Sequence, residues 1–207
     1  EVNACMDFVP VTSRSVAQYR RIQFPAGCVP RWAVTTNGGL LLENGAIDEA
    51  WRAESLAAVA PWRGELERTE ALLQAQTVPH RGRMVDDLYV FAACDDAALA
   101  HALAAALAGR TALEVAVSGR KVYCFPAPIS KGHALERLRR RFGPAAVFAA
   151  GDTTMDVPML RSADAAAAPE AALLADFAGQ KCLPREGEHF GEFVLRCALA
   201  FAGEKAK

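Results

Sequence analysis

Apolar residues recur along this chain in short runs separated by turn residues, and the period changes as the chain proceeds. Residues 8–11 (Phe-Val-Pro-Val) form a short apolar strand that runs into the turn Thr12-Ser13-Arg14-Ser15. Val16, Tyr19 and Ile22 then fall at helical spacing and predict a helix over residues 15–22. Pro25, Gly27 and Pro30 mark a loop. Trp32–Thr35 reads as a buried strand, Asn37-Gly38-Gly39 as a tight turn, and residues 40–42 as the next strand before Asn44-Gly45.

The middle of the chain has a different texture. Residues 54–76 are rich in Ala, Leu and Glu and predict one or two helices broken at Pro61. Residues 80–83 (His-Arg-Gly-Arg) read as a loop and residues 88–93 as a strand. A helix follows, capped by Asp95-Asp96, carrying Leu99, Leu103 and Leu107 on one stripe and closed by Gly109. Residues 113–117 and 122–125 form a strand pair around Ser118-Gly119.

Alternation then resumes. Residues 134–142 predict a helix with Leu135, Leu138 and Phe142 on one face. Residues 146–150 form a continuous apolar run of the kind buried in a parallel sheet. Short strands are expected at 165–168 and 182–183, and a last helix at 190–202 with Phe190, Phe193, Val194, Cys197 and Phe201 on one stripe. A strand–helix order that is interrupted and resumed implies an α/β core carrying an α+β insert. The expected division is core at 1–50 and 129–207, with a cap domain at 51–128.

With 207 residues, 52% hydrophobic and 23% charged, the chain has the balance of a globular protein. A net charge of −1 gives no electrostatic reason to expect nucleic acid or an anionic membrane surface as partner. No apolar run is long enough to span a bilayer, and no signal peptide is visible. The six cysteines show no CxxC pair or Cys/His ligand spacing, which favours free thiols in a reducing cytoplasm over structural zinc.

Four clusters at strand ends can carry chemistry. Thr12-Ser13-Arg14 places a hydroxyl and backbone N–H groups where an anion can bind, or simply caps a helix through Ser13 or Ser15. Asn37-Gly38 is either a site loop or a plain hairpin turn. Lys131 precedes a helix beside Gly132, where most lysines would be solvated. Asp152 and Asp156, four apart after an apolar strand, suit a hard cation such as Mg²⁺. An N-capping Asp with a surface neighbour is the plainer alternative, disfavoured because Gly-Asp is a costly place for an unpartnered charge. The four histidines show no ligand spacing, and no GxSxG, HExxH, Walker or GxGxxG motif occurs.

Taken in order, these segments resemble the haloacid dehalogenase (HAD) superfamily of phosphohydrolases: residues 9–14, 36–39, 130–135 and 151–160. The resemblance is to the branch with a large α/β (C2-type) cap, which includes sucrose-phosphatase-like and Cof-like enzymes. More narrowly it extends to HAD proteins of bacterial tellurium-resistance clusters. It implies a Rossmannoid parallel-sheet core, Mg²⁺ as cofactor, and hydrolysis of a small phosphorylated metabolite such as a sugar phosphate through an aspartyl-phosphate intermediate. On this resemblance Thr12, Lys131 and Asp152 are catalytic, and Asp152 and Asp156 hold the metal. Thr12, Ser13, Arg14, Asn37 and Gly38 bind the phosphate or substrate.

Two departures stand out. Met155 occupies a position where many relatives have Asn. The first motif of the family, a strand ending in Asp-x-Asp whose first Asp is the nucleophile, has no counterpart, since Val9 stands two residues after Asp7. Either a segment ahead of Glu1 carries it, with the polar start fitting the end of a preceding helix, or the chain is a catalytically inactive binding or scaffold relative. Retention of Lys131, Asp152 and Asp156 favours the first. A core lacking this strand is expected to leave two sheet edges unpaired.

Overall fold

The computed structural model describes residues 6–144 and 146–205; Cys5 and the expectation of a helix end at Glu1 lie outside them. The chain begins extended at residues 10–12, hydrogen-bonded parallel to β1 (Trp32–Thr35) through Val34 N–H to the Pro10 carbonyl (2.8 Å) and Thr12 N–H to the Val34 carbonyl (2.9 Å). β1 continues antiparallel into β2 (Leu40–Glu43), which pairs with β3 (Ala46–Ile47). Between the first segment and β1 lies α1 (Val16–Tyr19), held by a Ser15/Gln18 capping box. α1 is shorter than the helix expected over 15–22. Only Val16 and Tyr19 on it are buried, and Ile22 is exposed, so no apolar stripe extends it.

α2 (Glu49–Val59) and α3 (Arg63–Gln74) are separated at Pro61, as the sequence implies, although α2 starts earlier because Asp48 caps it at the Trp51 N–H (2.8 Å). They lead into a four-stranded antiparallel sheet of β4 (Arg81–Val85), β5 (Tyr89–Ala93), β6 (Glu114–Ser118) and β7 (Lys121–Phe125), in the order β4-β5-β7-β6. Residues 81–83, expected as loop, are therefore strand. β4 is an edge, so the exposed Arg81, Gly82 and Arg83 need only β5 backbone to pair with. α4 (Ala97–Leu107) packs on this sheet through Ala100, Leu103 and Leu107.

The chain returns through α5 (Lys131–Phe142) to a parallel sheet of β8 (Phe148–Ala150), β9 (Ala165–Ala167) and β10 (Gln180–Cys182). α6 (Val157–Arg161) connects β8 to β9, and α7 (Phe190–Lys205) closes the chain. Layers flank β8 on both faces. Ala149 clusters with Leu135, Met159 and Leu160, whereas Phe148 and Ala150 pack towards Phe193 and Cys197 of α7. Phe142 is not on the buried face of α5; it is exposed and rests against Trp32, with ring centroids 4.8 Å apart.

α5 spans two halves of the core. Ala134 and Leu138 pack with Val34 and Leu41, Leu135 packs with Ala149 and Ala166, and Val11 touches both groups. Yet no described residue pairs with the outer edge of β8 or with the outer edge of residues 9–11. Gly151 N–H bonds the Ala167 carbonyl and the Val147 carbonyl accepts from Ala165, so the backbone groups of Phe148 and Ala150 turn away from β9. Pro10 and Thr12 face β1, so Val9 and Val11 turn away from it. Two apolar segments under one helix thus each present an edge unpaired among the described residues. Among the described residues, no helix is long and apolar enough to cross a membrane.

Candidate functional site

All four sequence clusters meet at the carboxyl ends of β1, β8 and the first extended segment. A chain of hydrogen bonds joins them. Asn37 N–H donates to the Thr12 carbonyl (3.0 Å), and Asn37 Nδ2 donates to the Ile129 carbonyl (3.2 Å), two residues before Lys131. Lys131 Nζ donates to Asp156 Oδ1 in a buried ion pair, with the residues 8% and 3% exposed. Asp156 Oδ2 accepts from the Asp152 N–H (3.2 Å), the Thr153 N–H (3.0 Å) and Thr153 Oγ1 (2.8 Å).

Local sequence explains each placement. Ser130 caps α5 by accepting from His133 N–H (3.1 Å), which puts Lys131 in its first turn, beneath the mouth of the site. Thr36 and Asn37 both adopt φ of 55° and Gly38 106°, a left-handed reversal that presses the loop onto α5. A Cβ at Gly38 would sit 2.5 Å from the Ser130 carbonyl oxygen. Gly151 plays the matching part under the acidic loop, because a Cβ there would collide with Asp156's own Cβ. The sequence singles out Gly38 as a site residue and the Gly151-Asp152 pair as part of a cluster, but assigns Gly151 no part of its own.

The two aspartates differ. Asp156 is saturated by four donors and organises its loop, so it acts on Lys131 rather than outward. Asp152 is exposed, and its carboxylate makes no hydrogen bond or ion pair to a described residue. No group of three or more His, Cys, Asp or Glu able to hold a metal occurs among the described residues. What the residues offer a divalent cation is one free carboxylate beside a buried lysine. That fits Mg²⁺, which keeps most of its waters and takes one or two carboxylates plus phosphate oxygens. Asn37 Oδ1 is buried without a partner, as is the Thr35 hydroxyl at the end of β1, and an unpaired buried acceptor at a site loop leaves a bond for a ligand to make.

Thr12 is half-buried, and its Oγ1 accepts from Arg14 N–H (3.2 Å), leaving the hydroxyl proton to donate outward. Ser13 meets the insert: Tyr89 Oη donates to its carbonyl (2.9 Å) and its Oγ donates to Tyr123 Oη (3.5 Å). Thr36 Oγ1 donates to Asp86 Oδ2 (2.8 Å) in the turn after β4. Burial raises the Tyr123 phenol, opposed by the Ser13 hydrogen bond. Arg14 is exposed. Met155 packs against the apolar cluster of the insert. Tyr89, Tyr123 and Asp86 were missed: tyrosines in alternating strands look like ordinary core residues, and Asp86-Asp87 like a plain turn.

The parallel core and the inserted antiparallel sheet, with the loops gathered at the strand ends, define an α/β architecture interrupted by an α+β insert, and comparison with solved structures agrees. The sucrose-phosphatase of Synechocystis sp. PCC6803, solved with sucrose and phosphate, superposes with a TM-score of 0.67 at 17% identity, over 94% of this chain and 84% of that one. A sugar phosphatase of HAD subclass IIB gives 0.64 at 12% identity, over 98% and 89%. A Thermoplasma acidophilum protein gives 0.64 at 13% identity, over 97% and 85%. No protein-family model matches the sequence, and no curated protein matches it. The chain has the haloacid dehalogenase-like fold, a Rossmannoid core with an inserted α+β cap.

Proposed function

We propose that this chain is the core and cap of a Mg²⁺-dependent phosphatase acting on a small phosphorylated metabolite of the sugar-phosphate class. The cap is residues 51–128, and the protein's place is the cytoplasm. The observation that carries the reading is the set of hydrogen bonds that ties Thr12 to Asn37, Asn37 to the Ile129 carbonyl two residues before Lys131, and Lys131 to Asp156, which in turn accepts from the Asp152 N–H. It gathers anion-binding donors, one fixed cation and one free carboxylate at a single set of strand ends, on a fold whose neighbours include sugar phosphatases.

Each residue then has a role. The Thr12 hydroxyl and the N–H groups of its turn bind phosphoryl oxygens. Lys131 spends one donor on Asp156 and keeps two for the phosphoryl group, where its charge offsets the charge that develops in transfer. Asp156 holds the ammonium in place. Asp152 is the metal's protein ligand, and Mg²⁺ when bound supplies further neutralisation of phosphoryl charge. Asn37 Oδ1 accepts from a substrate hydroxyl. Ser13 and Arg14 line the phosphate turn beneath the cap tyrosines.

The nucleophile in this reading is an Asp on a parallel strand, outside residues 1–207, that pairs between Val9–Val11 and β8. Its carboxylate oxygen forms the bond to phosphorus as the ester oxygen departs with a proton from an acid on the same strand. Water then attacks phosphorus, releasing phosphate and regenerating the carboxylate. The two edges unpaired among the described residues support this placement.

The test is release of inorganic phosphate from a panel of sugar phosphates by the complete natural protein, with Mg²⁺ and with chelator. The expected result is Mg²⁺-dependent turnover that Asp152→Asn lowers by roughly 10²-fold or more. Near-normal turnover in Asp152→Asn would remove Asp152 from the metal site. Phosphate binding without turnover in the wild type would make the protein an inactive relative.

A further inference from the structure

On the face of the parallel sheet opposite α5, two thiols lie together that phosphate chemistry does not use. Cys182 ends β10, its Cα opposite Ala167 of β9. Cys197 projects from α7 into the cluster formed with Ala167 and Phe193, and Cys182 packs against that cluster. The two thiols thus share one apolar cluster between β10 and α7, and both are free. Cys182 is half-buried and Cys197 is 8% exposed, so one partner of the pair is open to a small reagent.

We infer that Cys182 and Cys197 form a reversible disulfide site that fastens α7 to the edge of the sheet. The oxidant it takes is a low-molecular-weight disulfide such as oxidised glutathione. The Cys182 thiolate attacks one sulfur of that reagent and releases a first small thiolate. Cys197 then attacks Cys182 Sγ in the mixed disulfide and releases the second. Two cysteine protons pass to the two departing thiolates. The protein loses two electrons, and one small disulfide becomes two thiols.

Surroundings set the character of the site. Burial first, then Cys197 and, more weakly, Glu204, push the Cys182 thiol up to about 11 against the opposing Arg196 guanidinium. Little thiolate is present near neutrality, so oxidation is slow and the pair is no general nucleophile. The other described cysteines contrast with it. Cys94 and Cys124 are buried in the cap clusters, and Cys28 is exposed. The bond closes a loop of about 15 residues that includes the first half of α7, and so restricts the unfolded chain while leaving the Lys131 face untouched.

The test equilibrates the complete natural protein in glutathione buffers of increasing oxidised fraction at pH 8, alkylates it, and maps peptides without reduction. The expected result is a Cys182–Cys197 cross-linked peptide, with both residues protected from alkylation. Tm should rise by about 5 °C, a gain that Cys182→Ser abolishes and Cys28→Ser leaves intact. Alkylation of both cysteines in the most oxidising buffer would overturn the inference. So would a stable glutathione adduct on Cys182 without the cross-link.

Discussion

Lys131 and Asp156 are the residues on which the site turns, because each is buried and each is the other's counter-charge. Removing one leaves an uncompensated charge inside the protein, a loss typically larger than the net value of the pair. Lys131→Met should therefore lower unfolding free energy by about 3 kcal/mol in denaturant titrations. Turnover should fall at the same time. Unchanged stability would mean that the Asp152 and Thr153 donors alone satisfy Asp156. Gly151→Ala makes the complementary point: the added methyl meets Asp156, and the expected cost is about 1–3 kcal/mol with displacement of the acidic loop. Much of this scale was legible in the sequence. A Gly-Asp after an apolar run and a lysine at a helix start are unusual enough to stand out. The division of labour between Asp152 and Asp156 was not, because which carboxylate receives the loop N–H groups depends on the turn taken after Thr153.

Polar contacts at the ends of elements add to the apolar clusters that pack them together. Asp48 caps α2 and pairs with Arg141 of α5 (2.5 Å); the Trp51 N–H, then Arg141, hold its carboxyl below the ordinary range. Burial raises the Glu65 carboxyl, yet bonds from Thr111, Ala112 and Arg68 prevail and leave it lowered, linking α3 to the loop before β6. Arg196, then the Arg185 N–H, bring Glu188 down to about 2. A lowered folded-state pKa contributes stability above the unfolded value near 4, and that stability is lost as pH falls through the folded value. The denaturation midpoint should hold between pH 7 and 5 and decline from about pH 4 towards 2. A midpoint flat down to pH 3 would contradict these assignments.

Beside the apolar cluster that it shares with the core, the cap makes polar contacts of the same kind, Thr36–Asp86 and Tyr89 and Tyr123 on Ser13. Tyr89→Phe leaves the Ser13 carbonyl without its donor and should cost about 1 kcal/mol. Its clearer signature is faster proteolysis at the turn after β4, together with a raised KM. Proteolysis and KM at wild-type values would show that the cap is held by apolar packing alone. Helices and most strands were legible from periodicity. β4 was not, since Arg81-Gly82-Arg83 carries no apolar alternation and takes its shape from β5. Nor were the tyrosine contacts, whose partner lies more than 70 residues away in sequence.

At the scale of the whole molecule, residues 9–11 and β8 each have an outer backbone edge with no partner among the described residues. Both segments pack against α5, Ala149 through Leu135, and Val9 and Val11 among Ala134 and Leu138. Apolar segments covered by a helix yet unpaired at the backbone are an invitation to a further strand. The functional reading depends on that strand, since it brings the attacking carboxylate to Lys131 and Asp152. Amide hydrogen exchange of Phe148 and Ala150 in the complete natural protein tests it most directly, because those two N–H groups face the slot. The account predicts protection comparable to that of Ala149 and Ala166, whose amides lie within the sheet. Exchange at the rate of an open edge, with Ala149 and Ala166 still protected, would contradict it and leave the site without its nucleophile.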